Sequence, residues 1–110
     1  MPFITRIEVY KFNIPLQAPV TIAIGTIEEA RNILVKIHTS DGLYGTGEGA
    51  PFWMIVGETQ ATAYAVAYDL AKLLIGKNPL DLEGCMAAMD KYLSANPTVK
   101  STFDMALYDL

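Results

Sequence analysis

The alternation of apolar and polar residues near the N-terminus predicts a β-strand. Between Phe3 and Phe12 successive side chains fall on two faces of an extended chain. One face carries Thr5, Ile7 and Val9, and the other carries Arg6, Glu8 and Tyr10. A period of two residues is typical of a half-buried strand, so we expect the first face to meet a core and the second to meet water.

Two further stretches predict strands that pair with the first. Residues Arg31 to Thr39 alternate in the same way, and Ser40-Asp41-Gly42 follows as a tight turn, because Asp and Gly tolerate positive φ values. The returning strand, Leu43 to Gly49, has glycine at every second position from Gly45. Glycine in a strand indicates a bulge or the close approach of another backbone. We therefore predict a three-stranded antiparallel meander.

Beyond the meander the apolar residues adopt helical spacing. The pattern predicts one helix from Thr59 to Ile75, a second capped by Asp81, and a third that begins at Asn96-Pro97, with Asn as N-cap and Pro at the first helical position. The third helix carries on one face Val99, Phe103, Ala106, Leu107 and Leu110. The predicted fold class is α+β, a meander followed by a helical bundle.

Two uncharged stretches interrupt this pattern. The sixteen residues between Lys11 and Glu28 carry no charge, and neither do the residues from Gly49 to Gly57, which include the single tryptophan, Trp53. Exposed on a monomer, such segments would invite aggregation, so they must pack inside the domain, against a partner or over a ligand. We interpret both as loops that close over a pocket built elsewhere. The alternative for the second stretch is a fourth strand buried in the core.

Composition limits the kinds of partner. A chain of 110 residues can bury one core but cannot hold a whole barrel enzyme. Its net charge of -4 argues against nucleic acid, which needs a basic surface. Charged residues occupy the place of a signal peptide's apolar core, and no apolar run approaches the roughly 20 residues of a membrane span. We expect a cytoplasmic protein without a membrane partner, in which Cys85 is a buried hydrophobe and His38 a surface or edge residue.

Several groups of residues that could form a catalytic or binding site lack part of the motif that such a site requires. The run from Gly45 to Gly49 lacks the helix N-terminus and basic residue of a phosphate-binding turn. No serine has a motif that supplies a base, and the acidic residues are too scattered for a metal site. Among them Glu48 has the most interesting neighbours, and we expect it to form a hydrogen bond that ties the meander to the following loop.

The order of several short motifs resembles the N-terminal domain of the mandelate racemase and muconate lactonizing branch of the enolase superfamily. The motifs are Arg6-Ile7-Glu8, Ala30-Arg31-Asn32, Gly42 to Glu48, Pro51 and Phe103 to Leu110. Within that branch, Gly49-Ala50-Pro51 and the run from Ile55 to Thr59 look most like dipeptide epimerases of the Ala-Glu type. The resemblance covers the whole chain.

The resemblance implies a capping domain packed on a modified TIM barrel, from which two mobile loops close the active site. The loops correspond to Thr21 through Thr26 and Phe52 through Val56, and the implied substrate-binding residues are Thr21, Ile22, Ile24, Gly25, Phe52, Trp53 and Ile55. The implied reaction is removal and return of the proton at an α-carbon by two lysines, with Mg²⁺ stabilising the enediolate. These lysines and the metal ligands would belong to the barrel, so no catalytic or metal-binding residue is expected in this chain.

One position departs from that pattern. Some Ala-Glu epimerases have an arginine in the first loop, and the matching residue here is Gly25. A dipeptide with a more apolar or differently placed side chain is therefore a plausible substrate.

The division into domains and the alternatives follow from the same resemblance. Residues 1–96 would form the cap, and residues 97–110 a linking helix at the start of a barrel that the sequence ends before. A muconate cycloisomerase or an o-succinylbenzoate synthase would use a very similar cap. A second alternative is a free-standing binding or dimerisation module. The expected partners are the barrel domain and a small dipeptide, and homo-oligomerisation is left open.

Overall fold

The computed structural model describes residues 2–22, 25–51 and 58–110, and the side chains of the same ranges except for residues 14–30. Three strands come first: β1 (Ile4–Ile22), β2 (Gly25–Thr39) and β3 (Tyr44–Gly49). Three helices follow: α1 (Gln60–Leu74), α2 (Leu82–Tyr92) and α3 (Pro97–Tyr108). The predicted α+β class is confirmed.

The strands form one antiparallel sheet in the order β1-β2-β3. In β2, the side chains of Ile33, Val35 and Ile37 are fully buried, as their alternation predicts. The turn into β3 contains Gly42 at φ 84°, a conformation that favours glycine. The predicted meander is therefore confirmed.

The first two strands are much longer than the sequence pattern predicts. The pairing of β1 with β2 continues from Ile4 to Ile22, so most of the uncharged stretch between Lys11 and Glu28 lies within the two strands. The prediction of a long connecting loop was wrong there. By contrast, the pairing of β3 with β2 stops at the pair Gly49–Ile33. The hairpin thus extends past β3 by up to about 26 Å, since a strand rises roughly 3.3 Å per residue.

An irregularity explains why this part of β1 does not look like a strand. Between the pairs Pro15–Glu29 and Val20–Ile27, β1 has four residues, from Leu16 to Pro19, and β2 has only Glu28. Prolines are tolerated at such bulges and on edge strands, and β1 is an edge strand. Two prolines and the extra residues therefore conceal the strand in the sequence. The radius of gyration, 14.8 Å, exceeds the roughly 13 Å of a compact chain of this length, as an overhanging hairpin would produce.

A second bulge corrects the predicted faces of β1. Ile4 pairs with Thr39 and Arg6 with His38, so Thr5 is an extra residue. Ile4 is fully buried while Thr5 is exposed, and Ile7 and Val9 pack against the core. The bulge shifts the alternation by one residue, so the placement of Thr5 on the core face was wrong.

The helices cover the inner face of the sheet. Thr59 caps α1 through a reciprocal pair of hydrogen bonds with Thr62, and Asp81 caps α2 by accepting from the backbone N–H of Gly84. The helices contribute to the core these fully or almost fully buried side chains: Ala63, Ala67, Leu70, Leu74, Cys85, Met89, Val99, Phe103, Ala106 and Leu107. The predictions of three helices and of a buried Cys85 are confirmed.

The start of α3 differs in one detail. Pro97 is its first residue, as predicted, but Asn96 has a left-handed backbone (φ 56°) and its side chain does not cap the helix. Its Nδ2 donates instead to the carbonyl of Ser94. The left-handed conformation directs the amide away from the first turn, so another group must accept the free N–H groups there.

The glycines of β3 face α3. A Cβ atom on Gly45 would collide with the backbone carbonyl of Ala106, and one on Gly47 with that of Thr102. On Gly49 it would collide with the Thr102 hydroxyl. The predicted close approach of another backbone is confirmed, and the backbone involved is that of α3.

Candidate functional site

The first predicted substrate segment is the tip of the β1–β2 hairpin. Thr21 pairs with Thr26, and Ile22, the last residue of β1, pairs with Gly25, the first of β2. Ile24 lies outside the described residues. The side chains of Thr21, Ile22, Gly25 and Thr26 are not described either. The backbone therefore places Thr21, Ile22 and Gly25 together at the end of the hairpin farthest from β3. Their contact with a substrate stays a prediction.

The second predicted segment contains Phe52, Trp53 and Ile55, which lie outside the described residues. Both the predicted loop and its alternative, a fourth buried strand, therefore remain untested. The residues on either side are described. Pro51 and Glu58 are both buried, so the residues on either side of the segment are held within the fold.

Gln60, at the start of α1, joins the two strands of the hairpin at its base. Its side-chain Nε2 lies 2.9 Å from Asn13 Oδ1 and 2.9 Å from the carbonyl oxygen of Asn32, with the carbonyl of Phe12 at 3.4 Å. Phe12 and Asn32 are paired across β1 and β2, one position beyond the last pair of β2 with β3. Gln60 thus binds both strands where the hairpin leaves the three-stranded sheet.

Glu58 performs a similar role at the base of the second segment. Its Oε2 accepts a hydrogen bond from the backbone N–H of Thr98, 3.2 Å away. Thr98 is in the first turn of α3, so Glu58 takes the place of the cap that Asn96 does not provide. A carboxylate also complements the positive end of the helix dipole. Glu58 is only 4% exposed, and its Oε1 has no hydrogen-bond partner among the described residues.

The two ends of the second segment meet at α3. Gly49 lies chiefly against Thr102, and the methyl group of Thr98, the residue whose N–H binds Glu58, is next to it. A groove of about 550 Å³ runs beside this point and is lined by Gly49, Ala50, Pro97, Thr98, Ser101 and Met105, among others. The first half of α3 therefore contacts Gly49 and Glu58, which are described residues on either side of the segment.

Glu48 forms a hydrogen bond, but to a different part of the chain from the one expected. Its Oε1 accepts from Asn32 Nδ2 at 2.9 Å. This bond links β3 to β2 within the meander. Because residues 52–57 of the following loop lie outside the described residues, the expected link to that loop stays a prediction. Because Gln60 binds the carbonyl of the same Asn32, three elements meet at the base of the hairpin.

The outer face of the sheet carries a polar network remote from both segments. Glu8 Oε2 lies 2.9 Å from His38 Nε2. Because a carboxylate oxygen accepts hydrogen bonds, this bond requires a proton on Nε2. The hydrogen bond from His38 and a second from Tyr10 lower the pKa of Glu8. The bond to Glu8 in turn raises the pKa of Tyr10. His38 is thus a partly exposed strand residue, as predicted, and its bond to Glu8 gives it a structural role.

The described residues offer few groups for chemistry. Within 2–22, 25–51 and 58–110, no three His, Cys, Asp or Glu side chains are arranged to hold a metal ion. The Cys85 thiol is buried, and burial raises its pKa, which disfavours the reactive thiolate. Nor does any helix in these ranges have the length and apolar character needed to cross a membrane.

Sequence reasoning missed Gln60 and the anchoring role of Glu58. Glu58 entered it only as part of a motif, and Gln60 only as one polar position in a helix. The sequence did offer one signal for these two residues, because both are next to Thr59, the N-cap of α1. Residues that flank an N-cap lie where a helix meets other elements. Their partners, Asn32 and Thr98, are 28 and 40 residues away in sequence and could not be inferred.

The meander followed by three helices defines an α+β domain. The sequence profile of the mandelate racemase / muconate lactonizing enzyme N-terminal domain matches residues 4–110. The chain therefore belongs to this family, as its motifs indicated.

Similar proteins include dipeptide epimerases. The chain is 43% identical to a D-Ala-D/L-Ala epimerase of Cytophaga hutchinsonii over 97% of its own length and 29% of the relative's. It is 39% identical to a hydrophobic dipeptide epimerase of Enterococcus faecalis, covering 97% of this chain and 30% of that one. A chloromuconate cycloisomerase of Cupriavidus necator is 34% identical, with 89% of this chain and 27% of the relative covered.

Solved structures agree with this assignment. The Cytophaga hutchinsonii dipeptide epimerase complexed with Mg and D-Ala-L-Val superposes with a TM-score of 0.95 at 42% identity, over 96% of this chain and 29% of that one. The Enterococcus faecalis dipeptide epimerase complexed with Mg and L-Leu-L-Tyr gives 0.93 at 38% identity, over 96% and 30%. The chain thus spans less than a third of the proteins that it matches.

Proposed function

We propose that this chain is the capping domain of a dipeptide epimerase whose remaining part is a barrel domain in the same polypeptide. The relatives are about three times longer, which supports a second domain. Under this proposal residues 1–96 form the cap, and residues 97–110, the helix packed on β3, are the link to the barrel. We place the enzyme in the cytoplasm, consistent with the single, buried cysteine of this chain.

The observation that carries the proposal is the overhanging hairpin. Its two strands, β1 and β2, continue past the end of β3. Most of the uncharged stretch of sixteen residues lies in this part of the hairpin, where no described strand pairs with β2 on its other side. An uncharged stretch of this length, rich in apolar side chains, needs a covering surface. A substrate pocket in an adjacent barrel would provide one, and the hairpin would in turn exclude water from that pocket.

The catalytic groups are assigned to the barrel. Enolase-superfamily sites use a lysine or histidine base with Mg²⁺, which stabilises the negative charge that develops when a proton next to a carboxylate is removed. The described residues of this chain do not form a ligand set for that ion. We therefore assign neither a metal ligand nor a proton-transferring lysine to this chain, whose contribution is to cover the site and to contact the substrate's side chains.

We further propose that the substrate is a dipeptide with apolar side chains. Neither segment carries a charge that could pair with an acidic or basic side chain. The resemblance also implies that Gly25 stands where some Ala-Glu epimerases have an arginine. The dipeptides in two similar epimerase structures, D-Ala-L-Val and L-Leu-L-Tyr, are also uncharged in their side chains. Phe52, Trp53 and Ile55 are the proposed contacts of the second segment.

The test is a substrate screen of the full-length polypeptide with Mg²⁺ in D₂O. We expect one deuteron to enter at an α-carbon of dipeptides such as Ala-Val or Leu-Tyr, detected by mass spectrometry, and slower exchange with Ala-Glu. Because one relative is a chloromuconate cycloisomerase, cis,cis-muconate is included in the screen. Its conversion without any dipeptide exchange would replace the proposal with the cycloisomerase alternative.

A further inference from the structure

We propose that the cleft between β1 and α1 is a binding site for a small carboxylate that carries an aromatic tail. The cleft has a volume of about 280 Å³ and is lined, among others, by Arg6, Ile7 and Val9 of β1 and by Tyr64, Tyr68 and Lys72 of α1. Pockets that bind small molecules start at roughly 300 Å³, so its size suits a ligand of this kind. The inference goes beyond the proposed function, because none of these residues belongs to the two uncharged segments.

The β1 side of the cleft and the end of α1 supply an apolar surface. Ile7 and Val9 are partly buried and pack against the core. Ala71 of α1 is buried, whereas Ile75, just after the helix, is 46% exposed. Because β1 is an edge strand, no described strand closes the cleft on that side. An apolar ligand group placed here would leave water for a preformed apolar surface, which favours binding.

Two tyrosines form the α1 side of the cleft and set the kind of tail that fits. Tyr64, Tyr68 and Lys72 are spaced four residues apart, so they lie on one face of the helix. Each ring also contacts a cation: Lys11 Nζ lies 4.7 Å from the centre of the Tyr64 ring, and Lys72 Nζ lies 4.8 Å from that of Tyr68. Aromatic rings favour offset or edge-to-face contact with another ring, so the preferred tail is aromatic.

The charged side chains that line the cleft are both cations, Arg6 and Lys72. Arg6 Nη2 lies 3.6 Å from Glu8 Oε1, so part of its charge is already compensated. Among the residues that the structure describes, no carboxylate forms an ion pair with Lys72. Lys72 is therefore the side chain that selects a negative group, and a positively charged ligand would be repelled. The combination of this charge with the apolar surface identifies the ligand class as a carboxylate with an aromatic tail.

The experiment titrates the full-length polypeptide, without added Mg²⁺, with three probes of nearly the same shape. These are 3-phenylpropionate, 3-phenylpropanamide and 3-phenylpropylamine, which are negative, neutral and positive near neutral pH. Saturation-transfer NMR of the probe measures each Kd. We expect a Kd on the order of a millimolar for 3-phenylpropionate, about tenfold weaker binding of the amide and no detectable binding of the amine. Equal binding of the acid and the amide, or no binding of the acid, would overturn the inference.

Three variants locate the bound probe. Lys72→Gln removes the charge from an exposed position in the last turn of α1, and should weaken 3-phenylpropionate about fivefold without affecting the amide. Lys91→Gln, at an exposed position in the last turn of α2, is the matched control and should change neither Kd. Tyr68→Ala should weaken the acid and the amide alike, since both contact the ring. If Lys72→Gln leaves the Kd of 3-phenylpropionate unchanged, the probe binds elsewhere and the inference fails.

Discussion

Gly47 of β3 lies directly against the backbone carbonyl of Thr102 in α3. The contact leaves no room for a side chain, because a Cβ atom at this position would overlap the carbonyl oxygen. The glycines on either side along the same face also contact α3: Gly45 meets the backbone carbonyl of Ala106, and Gly49 meets the Thr102 hydroxyl. The alternate glycines of β3 therefore set the distance between the sheet and α3.

Substituting Gly47 by alanine should destabilise the protein strongly. The obstructing atom belongs to a helix backbone, so α3 itself must move, at a cost of about 3 kcal/mol in the free energy of unfolding. Gly42→Ala is the comparison, since nothing lies near its Cβ position and only the positive φ opposes it, for about 1 kcal/mol. Urea denaturation of both variants measures the two losses in unfolding free energy. Equal losses would show that α3 can retreat freely from β3.

Lys100 should contribute much more to stability than the acid that pairs with it. Its Nζ lies 2.6 Å from the carbonyl of Leu93 and 2.9 Å from Asp90 Oδ1, and its side chain is 10% exposed against 64% for Asp90. Lys100→Met keeps the aliphatic packing but loses the donor to a carbonyl at the end of α2, for about 1–3 kcal/mol. Asp90→Asn should cost below about 1 kcal/mol, as for exposed ion pairs. Chemical denaturation of each variant measures both values, and a reversed order would contradict this assignment.

The bond between Glu8 and His38 predicts a pH dependence of stability. The pKa of Glu8 is lowered in the folded state, chiefly by the hydrogen bond from His38. Its contribution is therefore complete above the ordinary glutamate pKa of about 4.3 and is lost as the pH falls below that value through the folded pKa. The difference in unfolding free energy between the wild type and Glu8→Gln should shrink between about pH 5.5 and pH 3. A difference that is the same at both pH values would refute the role of the bond.

Replacing Gly25 by arginine should change the substrate preference. Gly25 is the first residue of β2, at the tip of the hairpin, where an arginine could pair with an acidic side chain of the substrate. We expect Gly25→Arg to raise kcat/KM for Ala-Glu relative to Ala-Val about tenfold, a typical gain from one charged hydrogen bond. Gly25→Gln, similar in reach but uncharged, is the control. An identical ratio in both variants would mean that the tip does not face the substrate's side chain.

Sequence patterns predicted the order of the elements because local periodicity and caps determined it. Ile33, Val35 and Ile37 alternate without interruption, and Thr59 and Asp81 precede their helices as capping residues do. The length of the hairpin could not be predicted, because pairing across the bulge between Pro15 and Val20 depends on the partner strand. The extra residue at Thr5 has the same origin, since a bulge reflects pairing geometry and leaves no local signature.

For the candidate site, the sequence indicated two uncharged segments, and their contact with a substrate stays a prediction. Absence of charge identified both segments, since uncharged stretches on a surface need a partner. The anchors were not found, because Gln60 binds Asn32 and Glu58 binds Thr98 through long-range hydrogen bonds. An amide or a carboxylate at the start of a helix gives no indication of the distant group that it reaches. Packing brings these partners together, and only the folded chain reveals them.

The central claim is that both uncharged segments face the bound dipeptide. Hydrogen–deuterium exchange of the full-length enzyme with Mg²⁺, in the presence and absence of a saturating apolar dipeptide, tests it directly. The account predicts slower exchange on binding over residues 14–30 and 49–57, with no change over α2, residues 82–92. Protection that is absent from both segments, while the dipeptide is demonstrably bound, would contradict it.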